Sequence, residues 1–173
     1  MEAVLSTKAL LLCVLTATKT SETIEANWSE FDFDKGIWTI PKERMKKGRE
    51  HTVPLSDQAI EVLKSINRVE GSPWVFDSRG KGKPISNMAM SNCLKGTLGF
   101  KEYTVHGFRS SFRDWAGETT THSREVIEQS LAHSLADQTE AAYPRGDYLE
   151  KCRALMADWA GYCLKFFIVA KTL

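Results

Sequence analysis

Three short stretches in the second half of the chain hold residues that could carry chemistry. The first is His106-Gly-Phe-Arg109. A spacing of three on a helix puts an imidazole and a guanidinium on one face. The guanidinium offers a planar fork of donors to phosphate oxygens, and the imidazole donates another hydrogen bond or moves a proton. The second is Leu131-Ala-His133-Ser134, and the third is Ala141-Ala-Tyr143-Pro-Arg145. Taken singly, each stretch is ordinary: a surface pair near a helix start, a histidine at a helix end, and a core tyrosine with its hydroxyl bonded. Together they are ordered, with His133 about two dozen residues after Arg109 and Tyr143 ten residues after His133.

These residues must be positioned by a domain of modest size. The chain has 173 residues, 42% of them apolar and 26% charged, an ordinary composition for one globular domain with its own core. The net charge is +1, so the bulk basic excess usual in a nucleic-acid binder is absent. Cys13, Cys93, Cys152 and Cys163 are scattered, without CxxC pairs or Cys/His ligand spacing. They read as buried thiols of a reducing compartment, and no metal site or cofactor is expected. The apolar run Ala9–Leu15 is too short to span a membrane, and no small-x-small cleavage site follows it, so it reads as part of a buried helix.

Helical patterning covers residues 3–15, and a short helix is expected to begin near Thr20 or Ser21, with Glu22 and Glu25 in its early turns. Residues 28–55 change character. Phe31-Asp-Phe-Asp, the Lys35-Gly36 turn, Ile37–Ile40 ending at Pro41, the basic stretch Lys42–Arg49 and His51–Leu55 together predict a small antiparallel sheet. Ser56 is expected to cap a helix with an Ile60, Leu63, Ile66 stripe. Loop residues 68–86 contain a strand-like Trp74-Val-Phe76. Further helices are expected near 87–96, 106–117, 123–132 and 147–161. The fold class is thus α+β, mostly helical, with a three-stranded antiparallel sheet inserted near the N-terminus.

The order of HxxR, LxH and Tyr resembles the C-terminal signature of the tyrosine recombinases. The segments EANWSEFDFDKGIWTIPKERMKKGREHTVPLS, VHGFRSSFRDWA, VIEQSLAHS and AAYPRGDYLEKCRALMADWAGY resemble the catalytic domains of satellite-phage and genomic-island integrases. The resemblance implies that Tyr143 is the nucleophile and forms a 3′-phosphotyrosine. Arg109 is the second family arginine, His106 assists proton transfer, and His133 hydrogen-bonds the phosphate. Lys46, or its neighbour Lys47, is the general acid for the leaving 5′-oxygen. The first family arginine falls at Lys19 in Thr16-Ala-Thr-Lys-Thr-Ser-Glu22, with Glu22 at the supporting acidic position and Ala17 in place of the usual glycine. A lysine keeps the charge but lacks the bidentate fork, so impaired catalysis is expected. Lys46, Lys47, Arg49, Arg113 and Arg145 are expected to contact DNA.

The same resemblance implies double-stranded attachment-site DNA and other recombinase protomers as partners, a tetramer in the full-length family. It leaves room for accessory DNA-bending proteins, excludes a membrane, and puts the work in the bacterial cytoplasm at the nucleoid. Residues 1–173 read as a single catalytic domain without the arm-binding and core-binding domains, ending in an apolar tail, 162–173. That tail packs on its own domain or a neighbour, or is an altered reading frame. Two rivals remain. One is an inactive integrase remnant serving as a DNA-binding or interaction module. The other is a type IB topoisomerase, which the integrase-like sheet and last helix oppose.

Overall fold

The structure, a computed structural model, describes residues 2–78, 80–133 and 145–170. Helix α1 (Glu2–Thr16) is apolar on most of its circumference, and Ala9, Leu10, Leu12, Cys13 and Leu15 are all buried. A helix without a polar face has to be covered on several sides. Accordingly, α1 packs against α2 (Thr20–Ile24), α3 (Asp57–Lys64), α4 (Ala89–Asn92), the π-helical turn Cys93–Thr97 and α7 (Arg145–Ala170). Helices α5 (Gly107–Thr119) and α6 (Arg124–Ser130) complete the second half of the fold.

The sheet has three antiparallel strands in the order β1 (Phe31–Asp32), β2 (Ile37–Ile40) and β3 (His51–Pro54). Strand β2 alternates: Trp38 and Ile40 are fully buried, while Ile37 and Thr39 lie half-exposed. Trp38 pairs with Phe31 across β1 and stacks on it at 5.1 Å between ring centroids. Gly36 makes the β1–β2 turn at φ +60°, a conformation open to a residue without Cβ. Its carbonyl accepts from Leu55 N at 2.9 Å and from Arg153 Nη1 at 3.2 Å, tying the turn to α7.

Two apolar clusters form the core. One lies between α1, the sheet, α3 and the α4 region. The other joins α5, α6 and α7 through Phe112, Val126, Leu131, Leu155 and Trp159. Trp159 reaches across to α1, where its Nε1 donates to Val14 O at 2.7 Å.

Most expected elements are present, with local corrections. Trp74-Val-Phe76 is not a full strand: Trp74 forms one isolated antiparallel bridge with Asn27, bounded by Trp28 N to Pro73 O and Val75 N to Ala26 O at 2.9 Å each, because the partner segment turns into a 3-10 helix at Trp28. Ser56 caps α3 as expected, its hydroxyl accepting from Ala59 N at 3.3 Å. The helix stops at Lys64, however, so Ile66 packs from beyond its end, and Ala59 and Leu63 are the fully buried helical positions. The helix expected at 87–96 is one turn of α4 followed by the π-helical turn. Helix α7 runs past 161 to Ala170, and Tyr162 packs on Trp115 and Trp159. All four cysteines are free; Cys13, Cys93 and Cys152 are buried and Cys163 is half-buried. Burial pushes the Cys13 thiol up to about 11 and Cys163 up to about 12. Among the described residues, no helix is long and apolar enough to cross a membrane.

Candidate active site

The site begins at the end of α1. A chain of buried hydroxyls turns the backbone there: Thr16 Oγ1 donates to Leu12 O at 2.7 Å, Thr16 and Thr18 share a bond at 2.8 Å, and Thr18 and Thr23 share another at 2.8 Å. Between them, Ala17 sits at φ +49°, in the left-handed region. This is a conformational reason for a glycine at the position, and alanine bears its cost here. Lys19 is the N-cap of α2, one residue earlier than the cap expected at Thr20 or Ser21. The side chain that closes the turn belongs to Glu22. One of its oxygens accepts from Lys19 N at 2.8 Å and the other from Lys19 Nζ at 2.9 Å. Burial works to raise the Glu22 carboxyl. The Lys19 bonds and charge outweigh it, helped by Arg109, and hold the carboxyl below its ordinary range.

Arg109 enters this site from the first turn of α5 and is buried. Its Nη1 donates to the Ala17 carbonyl, and its Nη2 to the Leu131 carbonyl at 2.7 Å. A guanidinium carries five N–H groups, so these two bonds anchor the fork without exhausting it. Burial lowers the Arg109 pKa, opposed by Glu22. His106 is the N-cap of α5 and is exposed, while Arg109 is buried. The two are therefore joined at the helix start, Arg109 N donating to His106 O at 3.1 Å, without presenting equivalent faces.

Leu131 is the C-cap of α6, and the chain leaves it through Ala132 at φ +51°. His133 N then donates back to Glu128 O at 2.9 Å, and Ala132 N to Gln129 O at 2.9 Å. This is a Schellman closure with alanine at the left-handed position. It brings the His133 ring over α6, where Nδ1 lies 2.5 Å from Glu128 Oε2. Arg113, one turn beyond Arg109, puts Nε 2.8 Å from the other Glu128 oxygen. Arg113 is half-exposed, with its Nε paired to Glu128.

His51, on β3 opposite Ile40, is buried within reach of the charges of Glu22, Arg109 and Lys19. Burial is the main reason its pKa falls to about 4, with Glu22 and a hydrogen bond to the Ser130 backbone working the other way. Lys46, Lys47 and Arg49 lie exposed on the β2–β3 connection. Arg44 fixes that connection, donating to Glu22 O at 3.2 Å and to Glu30 Oε2 at 2.7 Å. Tyr143 lies outside the described residues, and Arg145 opens α7.

The structure thus brings Lys19, Glu22, Arg109 and the turn bearing His133 together through side-chain bonds, while Lys46 lies exposed on the β2–β3 connection that Arg44 ties to Glu22. Sequence reading missed Glu128, His51 and the threonine chain. A carboxylate five residues before His133 and polar residues inside apolar elements were the available signals.

Residues 2–149 match the model of the phage integrase family. The chain is 37% identical to prophage integrase IntA of Escherichia coli K12 over 159 residues, covering 90% of this chain and 38% of that protein. It is 33% identical to the integrase of Enterobacteria phage P4 over 172 residues, covering 89% of this chain and 39% of that protein. The chain therefore spans under two fifths of the length of these curated relatives. A crystal structure of XerA recombinase superposes with a TM-score of 0.58 at 15% identity, covering 87% of this chain and 62% of that one. Lambda integrase, solved as a dimer bound to a COC′ core site, gives 0.57 at 20% identity, covering 85% and 42%. These two likenesses bear on the fold alone. Fold and matched region define a tyrosine recombinase catalytic domain. The chain belongs to the phage integrase family.

Proposed function

We propose that this chain is the catalytic domain of a site-specific recombinase that cuts and rejoins DNA through Tyr143. Family membership supports the class of reaction. The observation that carries the residue assignment is Arg109, whose guanidinium ties the Lys19 turn to the His133 turn. In this reading the Tyr143 hydroxyl attacks a scissile phosphate. The Tyr143 Oη–P bond forms and the P–O5′ bond breaks. His106 assists removal of the tyrosine proton, and Lys46 or Lys47 supplies one to the leaving 5′-oxygen. Arg109, Lys19 and His133 donate to the non-bridging oxygens, where charge develops. A second 5′-hydroxyl reverses the step, so the covalent bond conserves the energy needed for rejoining. Glu22 supports Lys19; Lys47, Arg49, Arg113 and Arg145 contact the DNA backbone.

The partners in this reading are attachment-site duplex and further protomers. Lambda integrase has been solved as a tetramer bound to a Holliday junction, and a like assembly is carried over by analogy. Accessory DNA-bending proteins fit the same reading, which places the work at the bacterial nucleoid. The arm-binding and core-binding functions would belong to segments other than these 173 residues.

Lys19 makes this catalyst a weak one in our reading. Its ammonium is a point donor already engaged by Glu22, where a guanidinium would offer a fork. The test is a nicked suicide attachment-site substrate, scored for a detergent-stable covalent adduct. Wild type is expected to form it slowly, Tyr143→Phe not at all, and Lys19→Arg faster by about 10²–10³, the usual worth of one transition-state donor. Lys19 also favours a second reading, an inactive remnant that only binds DNA. That reading requires salt-sensitive binding with no adduct from either wild type or Lys19→Arg.

A further inference from the structure

His133 and Glu128 are bonded twice over. The Glu128 carbonyl accepts the His133 backbone N–H at 2.9 Å, and the Glu128 carboxylate meets His133 Nδ1 at 2.5 Å. The first bond belongs to the Schellman closure of α6, so the backbone itself delivers the ring to the carboxylate. The carboxylate is held rigidly. Its side chain is 10% exposed, and its second oxygen is taken by Arg113 Nε at 2.8 Å. Arg109 and Arg113, one turn apart on α5, therefore grip the last turn of α6 at two points, the Leu131 carbonyl and the Glu128 carboxylate.

An ionised carboxylate only accepts hydrogen bonds. The nitrogen facing it must carry a proton, which commits Nδ1 and leaves Nε2 as the ring nitrogen open to a ligand. We propose that Glu128 is a positioning residue: it fixes the tautomer and ring orientation of His133 so that Nε2 meets the scissile phosphate, with Arg113 locking Glu128 in turn. The phosphate contact rests on the recombinase reading, whereas the commitment of Nδ1 does not. To donate to a phosphate oxygen, Nε2 first takes up a proton from solvent; both ring nitrogens then carry protons, and Glu128 supplies the compensating negative charge. An orienting carboxylate behind a functional imidazole is a recurrent arrangement.

The test combines two readouts on wild type, Glu128→Gln and Glu128→Ala. Imidazole ¹⁵N shifts of the DNA-free protein at pH 8 report which ring nitrogen is protonated. Wild type should show Nδ1–H with a bare Nε2. Glu128→Gln is nearly isosteric, but Arg113 Nε can only donate, so the single carbonyl oxygen goes to Arg113 and the amide NH2 faces Nδ1; it should move the proton to Nε2 with the bulk behind the ring retained. Glu128→Ala should move the proton to Nε2, and a purely structural role would not produce that exchange. Adduct formation on the suicide substrate should fall about tenfold to a hundredfold in Glu128→Ala, and also in Glu128→Gln, which keeps the bulk but removes the negative charge behind Nδ1. An unchanged Nδ1–H tautomer in Glu128→Ala would overturn the proposal whether or not the chain cleaves DNA. So would wild-type adduct formation by Glu128→Ala. If wild type forms no adduct while the tautomer shifts as described, the recombinase reading falls and the commitment of Nδ1 by Glu128 stands.

Discussion

The guanidinium of Arg109 donates to the carbonyl of Ala17, 92 positions earlier in the chain, and to that of Leu131, 22 positions later. One side chain thus fastens the turn after α1 to the turn after α6. The residue assigned to the phosphate is also a structural bolt, so its substitution affects folding and chemistry together.

Arg109→Met should cost about 3–5 kcal/mol, since two buried carbonyls lose charge-assisted donors worth roughly 1.5–3 kcal/mol each. That is a large part of the roughly 5–15 kcal/mol available to a domain. Urea unfolding measures it. A loss under 1 kcal/mol would mean that the two bonds do not hold in solution.

Acid should weaken the fold in two stages. His51 titrates near 4 when folded, below its ordinary 6.5, so between these values the unfolded chain binds more protons and stability rises with pH. The contribution is complete above about pH 6.5 and is lost on the way down to 4, about 3 kcal/mol in all. Glu22, held below the ordinary carboxylate range, adds its own loss at lower pH. Urea midpoints of wild type and His51→Phe from pH 7.5 to 4 test this; an equally steep fall in both would assign the first stage elsewhere.

Ala132→Gly should stabilise the domain by about 0.5–1 kcal/mol. It relieves a left-handed alanine costing about 1–2 kcal/mol, offset in part by greater freedom of the unfolded chain. Thermal melts would register an upward shift, and a lower melting temperature would show that the Ala132 methyl contributes more by packing than its backbone costs.

Ser56→Ala removes the α3 cap, a bond made within the first turn of that helix, and should cost about 1 kcal/mol. Cleavage of the suicide substrate at low temperature should stay at the wild-type rate. A matching loss of cleavage would tie α3 to the site more closely than any described bond does.

Local rules determined much of this protein from its sequence. Strand β2 was legible as Ile37–Ile40 because alternation, a following proline and the Lys35-Gly36 turn all act within a few residues. The Ser56 cap was legible for the same reason, and the ordered His106, Arg109, His133 and Tyr143 carried the family resemblance. Trp74–Phe76 misled because a strand extends only as far as its partner does, and here the partner leaves after the single bridge at Asn27, which adjacent residues cannot reveal. Tertiary structure alone decided that Arg109 joins Ala17 to Leu131, that His51 is buried beside the charges of Glu22 and Arg109, and that Glu128 stands behind His133. The first two depend on segments far apart in sequence meeting in a buried space. The third spans five residues, but it needed a left-handed alanine to fold the chain back over α6, a conformation that residue type disfavours and that Leu131 packing and the Arg109 bond to its carbonyl hold in place.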